Sequence, residues 1–164
     1  MNRPPLGPEV HVGRSPGEGE RVIAEFAVPS EAGQEREVME RVARAVRDLP
    51  LSDRQRDQLA TAVSEATMNA IEHGNRNDPD LPVEVRVIAS DSSLRIEVFD
   101  HGGGASIPDE PETPDIEAKL EGRQSPRGWG LFLIENMVDE MRTSSNDTHH
   151  LIELIMRFED SNDG

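Results

Sequence analysis

Residues 59 to 74, LATAVSEATMNAIEHG, constrain this chain more than any other stretch. Leu59, Ala62, Val63, Ala66 and Ala70 fall at the i, i+3, i+4, i+7 spacing of a helix with one core-facing stripe. Beside that stripe Glu65, Asn69 and His73 recur at every fourth residue, so they rise one above another along a single helix face. A carboxylate and an amide at this spacing are usually solvated, or make an ordinary surface hydrogen bond. The other reading is that they line a pocket at the edge of the core.

Two later segments favour the pocket. An apolar strand ends in Asp100, followed by His101, Gly102, Gly103 and Gly104, and further on Gly128, Trp129 and Gly130 open an apolar helix. A triphosphate carried with a divalent cation needs an oxygen ligand for the metal, and backbone N–H groups or a helix N-terminus facing its anionic oxygens. Asn69 has a neutral oxygen suited to the first task. Gly128 and Gly130 let the backbone come close enough for the second, and Arg123 and Arg127 stand just before them to add positive charge. A fixed carboxylate such as Asp100 can accept a hydrogen bond from the exocyclic amine of adenine, although an acid closing a strand before a glycine turn is also common.

Glu65-x-x-x-Asn69 with Ala70 and His73-Gly74 resembles the N box of the GHKL, or Bergerat-fold, ATPases. Asp100-His101-Gly102-Gly103-Gly104 is similar to their first glycine box, and Gly128-Trp129-Gly130-Leu131 to the second. Within that superfamily the N box ending in His-Gly, together with Gly130-Leu131-Phe132-Leu133-Ile134, most resembles the bacterial anti-sigma-factor serine kinases. The resemblance implies ATP and Mg2+ as cofactors, with Asn69 on the metal and Asp100 on adenine. It places Gly102, Gly104, Arg127, Gly128, Gly130 and Leu131 around the nucleotide, and Thr148 weakly on the adenine side, since Asp147-Thr148 stands where the family often has Gly-Thr. Glu65 becomes the catalytic base that takes the proton of an attacking serine hydroxyl. For His73 two roles stay open, a phosphate contact or a helix C-terminal cap. The implied activity is phosphorylation of a small anti-anti-sigma (STAS-like) partner, with a sigma factor held in the alternate state and a homodimer possible. A module that binds ATP and controls a partner by contact, without phosphoryl transfer, is the alternative.

Composition sets the remaining limits. The 164 residues suit one domain, and the absence of cysteine removes disulfides and thiolate chemistry. A net charge of -16 opposes binding to nucleic acid, and fits either solubility or attraction to a basic partner protein. Neither a leader sequence nor an apolar run able to span a bilayer is legible, so a cytoplasmic protein acting away from membranes is expected.

Residues 1 to 19 hold four prolines and four glycines and read as a disordered arm, with the domain over 20 to 158 and a flexible tail from 159 to 164. Val22, Ala24, Phe26 and Val28 alternate as a strand. A helix is expected from Glu31 to Asp48, and a second from Asp53, opened by a Ser52/Gln55 capping box, running unbroken to His73 with Gly74 as its cap. Val83 to Val87 and Leu94 to Val98 form a hairpin. The proline-rich, acidic stretch from Ala105 to Arg127 reads as a nucleotide lid around a short helix at Ile116 to Leu120. A helix from Gly128 to Asp139 and strands at 142–145 and 150–158 complete the order β-α-α-β-β-α-β-β. The fold class expected is an α+β two-layer sandwich, a mixed, mostly antiparallel sheet covered on one face by helices.

Overall fold

The computed structural model describes residues 16–102 and 126–159. The elements run β1 (Arg21–Pro29), α1 (Gln34–Ala45), α2 (Asp53–Asn69), a π turn (Ala70–Gly74), β2 (Pro82–Ala89), β3 (Ser93–Asp100), α3 (Pro126–Met137), β4 (Glu140–Ser145) and β5 (His150–Arg157). The strands make one five-stranded sheet in the order β1-β2-β3-β5-β4, antiparallel at every pairing among the described residues. It is therefore an α+β sandwich whose sheet, expected to be mixed, has no parallel pair in that set.

Period-two alternation decides which face is buried. Val83, Val85 and Val87 of β2, with Ile96 and Val98 of β3 and Ile152 and Leu154 of β5, meet Val42, Val63, Ala66, Leu131 and Ile134 of the helices in one apolar cluster. The intervening residues on the opposite face include the buried charges Glu84, Arg86, Arg95, Glu97 and Glu153 beside a small apolar cluster of Phe99 and Leu151. There Glu97, fully buried, accepts from Arg86 at 2.8 Å and from Arg95, while Arg95 also reaches Glu153 at 3.1 Å and Glu20 at 3.0 Å. Burial outweighs both guanidinium groups and holds the Glu97 carboxyl above the ordinary carboxylate range.

Helix boundaries follow from local chemistry. The helix expected from Glu31 starts at Gln34, because Gly33 adopts the left-handed φ of 95°. It stops at Ala45, and the Arg56 guanidinium on α2 donates to the carbonyls of Val46, Arg47 and Leu49 just beyond. The Ser52/Gln55 capping box opens α2 as expected, with both reciprocal bonds at 3.1 Å.

The far end of α2 differs from expectation. Regular α-helix ends at Asn69 and a π turn carries the chain to Gly74, closed by the Asn75 N–H on the Ala70 carbonyl at 2.8 Å. Gly74 is not a left-handed cap, since the residues with positive φ here are Arg76 and Asn77. Most of the arm expected over 1–19, residues 103–125 and residues 160–164 of the tail lie outside the described residues, and of the lid expected from Ala105 to Arg127 only Pro126 and Arg127 are described, in the first turn of α3 rather than in a loop. No helix among the described residues is long and apolar enough to cross a membrane.

Candidate nucleotide-binding site

The last turns of α2 lie between the end of β3 and the start of α3. Gly74 and Asp100 touch so closely that a Cβ on Gly74 would stand 2.7 Å from Asp100 Oδ1 and nearer still to Cγ and Oδ2. A Cβ on Gly102 would likewise overlap the Gly74 carbonyl. The N box and the first glycine box thus meet backbone to backbone, which only glycine permits. On the other side, a Cβ on Gly130 of α3 would lie 3.3 Å from Glu65 Oε1, so the second glycine box reaches the same helix.

Asp100 ends β3 and is buried, with two donors on one of its oxygens. The Gly102 N–H reaches Oδ1 at 3.0 Å, and His150 Nδ1 reaches it at 2.9 Å. The register of β3 against β5 sets His150 directly opposite Asp100. Asn75, also buried, locks the neighbouring loop: its amide nitrogen donates to Ser30 Oγ and to the carbonyls of Leu81 and Pro82, and its oxygen accepts from the His101 N–H at 2.8 Å.

Asn69 and Glu65 contrast with these satisfied groups. Asn69 is 6% exposed, yet its side-chain oxygen has no hydrogen-bond partner among the described residues. Leaving such an oxygen unpaired costs about 1–3 kcal/mol, so a bound donor or cation is the expected complement. Glu65, one turn earlier and half-buried, has its carboxyl held above the ordinary value, first by burial and then by repulsion from Glu72. No group of three or more His, Cys, Asp or Glu among the described residues could hold a metal ion. The donor set instead fits magnesium, which takes one or two protein oxygens and completes its shell from phosphates and water.

Residues 28–158 match the family model described as a histidine kinase-like ATPase domain. The chain belongs to that family. This ATPase domain is 36% identical over 88 residues to the anti-sigma F factor of Anoxybacillus flavithermus, an overlap of 54% of this chain and 59% of the relative. It is 38% identical, over the same length and shares, to the anti-sigma F factor of Geobacillus thermodenitrificans. The matched region spans little more than half the length of these curated relatives. Among solved structures it resembles the RsbU and RsbW domains of a Mycobacterium tuberculosis protein, with a TM-score of 0.58 and 19% identity over 82% of this chain and 32% of that one, a likeness of fold. Membership of an ATPase family implies that the domain binds nucleotide.

The remaining sequence candidates of the ATPase domain are placed as follows. His73 is half-buried within the π turn, whose wider pitch interrupts the four-residue ladder from Glu65 through Asn69. Leu131 has its side chain in the apolar core. Thr148 is exposed in the β4–β5 turn, where its hydroxyl bonds Asn146 and His149, and it is His150 that faces Asp100 across the ladder. Gly128 lies in α3; Gly104 and Arg123 fall outside the described residues, as does the side chain of Arg127. Two residues at the site escaped the sequence reading. Asn75 directly follows the N box and reads as loop, and His150 sits beside His149 in a pair without metal-ligand spacing. Only strand register could have linked His150 to Asp100.

Proposed function

We propose that this chain is a Mg-ATP-dependent serine kinase of the anti-sigma-factor type. It phosphorylates a small STAS-like anti-anti-sigma protein and, in the alternate state, holds a sigma factor. The observation that carries the reading is the pairing, one helical turn apart, of a buried amide oxygen without a partner at Asn69 and a carboxylate raised above its ordinary value at Glu65. Both lie on the helix whose end abuts the adenine candidate Asp100. The curated relatives named anti-sigma F factor support the partner class.

In this reading Asp100 accepts the adenine amine, and the N-terminal end of α3 with Gly128 and Gly130 faces the phosphates. Asn69 would hold magnesium, which would supply neutralisation of charge on the phosphate oxygens. Glu65 takes the proton from the partner serine hydroxyl as its oxygen bonds to the γ-phosphorus and the bond to the β-phosphate oxygen breaks, releasing ADP. A carboxyl shifted toward neutrality is a stronger base than an ordinary glutamate, which suits that step.

The test incubates the chain with γ-labelled ATP, magnesium and a STAS-like partner. Label on a partner serine, lost in Glu65→Ala protein that still binds ATP, is the expected result. Labelling that survives Glu65→Ala refutes the base assignment. Nucleotide-dependent association of the partner without labelling selects the contact-regulated module instead.

A further inference from the structure

We infer that His150 is the positioning residue for adenine recognition, setting the orientation of the Asp100 carboxylate by a buried hydrogen bond across the β3–β5 ladder. The inference deepens the nucleotide-site reading and rests on Asp100 being the adenine acceptor.

His150 is 1% exposed and Asp100 4%, and the two are cross-strand partners in register. Their side chains meet at 2.9 Å between Nδ1 and Oδ1. An ionised carboxylate can only accept, so the shared hydrogen belongs to Nδ1 and fixes the imidazole's role in the pair. The second donor, the Gly102 N–H, arrives at the same oxygen from the chain just after Asp100. On the remaining side the carboxylate is against Gly74. Three contacts from β5, the glycine turn and the π turn therefore stop rotation of the carboxylate about its Cβ–Cγ bond. A base-reading acceptor needs that fixity, since a misaimed oxygen discriminates poorly between an amine and a carbonyl.

The imidazole does nothing else visible that would account for its burial. Its Nε2 is buried without a partner among the described residues, a cost of the kind a purely structural position tends to avoid. An apolar residue would fill the place more cheaply. His150 thus earns its position through Asp100.

The experiment compares Asn and Gln at position 150. Asn carries its amide nitrogen where imidazole has Nδ1, whereas Gln carries it where imidazole has Nε2. His150→Asn therefore keeps the bond to Asp100 and His150→Gln displaces it. Affinity is measured by calorimetry, with magnesium, for ATP and for purine riboside triphosphate, which lacks the exocyclic amine; Asp100→Asn serves as reference and thermal midpoints report folding. The expected result is that His150→Gln weakens ATP by ~10- to 100-fold, the range for one charge-assisted hydrogen bond, and leaves the amine-free analogue nearly unchanged. His150→Asn stays close to wild type for both.

Equal losses for both nucleotides in both variants mean a structural role and overturn the inference. So does unchanged ATP affinity in His150→Gln when Asp100→Asn has lost it, and in that case the adenine assignment of Asp100 stands. If wild type shows no preference for ATP over the analogue, the Asp100 reading itself fails, and the positioning role falls with it. Nitrogen NMR of the ligand-free protein gives an independent check: a proton on Nδ1 of His150 is required, and a bare Nδ1 overturns the pair.

Discussion

Replacing Gly74 by alanine separates two opposite expectations. Gly74 has no left-handed φ and lies in a helical turn, so on backbone grounds Gly→Ala should stabilise the protein by about 0.4–1 kcal/mol. The structure predicts the reverse. The new methyl would stand 2.7 Å from Asp100 Oδ1, where ordinary contact begins at 3.4 Å, so that oxygen alone must retreat by about 0.7 Å and Oδ2 by more. A retreat of that size stretches the bonds from His150 and the Gly102 N–H, now 2.9 and 3.0 Å, past hydrogen-bonding range unless the strand moves with it. Overpacking costs about 1–3 kcal/mol and one charge-assisted bond about 1.5–3 kcal/mol. After the backbone gain, Gly74→Ala should lose about 2–5 kcal/mol, or roughly 4–20 °C in thermal midpoint for a chain of this size. Because the displaced group is the proposed adenine acceptor, Mg-ATP affinity measured by calorimetry should fall by at least ~10-fold. The deciding control is the double variant. In an Asp100→Ala background the clash is gone, and Gly74→Ala should be neutral or stabilising. If Gly74→Ala alone raises the midpoint, or costs the same in both backgrounds, the argument from close approach is wrong.

Three further outcomes follow from the same geometry. Asn69→Leu removes a buried oxygen that has no partner, so the ligand-free thermal midpoint should move by the equivalent of no more than about 1 kcal/mol, while the magnesium dependence of ATP binding disappears in titrations with and without the metal. Glu65 has a folded-state pKa above its unfolded one; its favourable contribution is present below the unfolded value and lost as pH rises through the folded value. Glu65→Gln should therefore be more stable than wild type near neutral pH in denaturant titrations, and Glu72→Gln, which removes the second cause of the shift, should move the acidic limb of any transfer rate to lower pH. Glu97→Ala strips Arg86 and Arg95 of a shared buried partner and should cost about 3–5 kcal/mol by the same titration, and an effect below 1 kcal/mol would show that the network relaxes into water.

Legibility in the sequence followed the physics of each signal. Strong local periodicity made the strands at Val83–Val87 and Leu94–Val98 and the core stripe of α2 readable, and the Ser52/Gln55 box fixed the helix start to the residue. Errors fell at termini, where one backbone angle decides. Gly33 delays α1, and Gly74, a natural cap by type, instead makes room for Asp100. The pairing of Asp100 with His150 could not be read, because it depends on the register of two strands fifty residues apart, and a slip of one position would set His149 or Leu151 opposite Asp100 instead.

Departures from ordinary folding rules occur on the sheet face away from the helices, where the Glu97 carboxyl is held above its usual range and Glu84 Oε1 and Arg95 Nε are buried without a partner among the described residues, and again at the end of α2. Asn75 is satisfied from four directions and Asp100 from two, so the frame around the end of α2 is rigid before any ligand arrives. Inside that frame lie a π turn, an amide oxygen buried without a partner and a carboxyl kept above its usual value. Each is a small cost that a sequence selected for stability alone would remove by a conservative change, Asn69 to an aliphatic residue or Glu65 to glutamine. Their meeting on neighbouring turns at the end of α2, beside a frame built from satisfied hydrogen bonds, fits a preorganised site with the proposed complement of a cationic metal and a transferable proton. The apolar core beneath shows no such costs at Val63, Ala66, Ile96 or Val98, which are simply packed. The same helix therefore does two jobs on two faces, and only the face carrying Glu65 and Asn69 is under strain that binding would relieve.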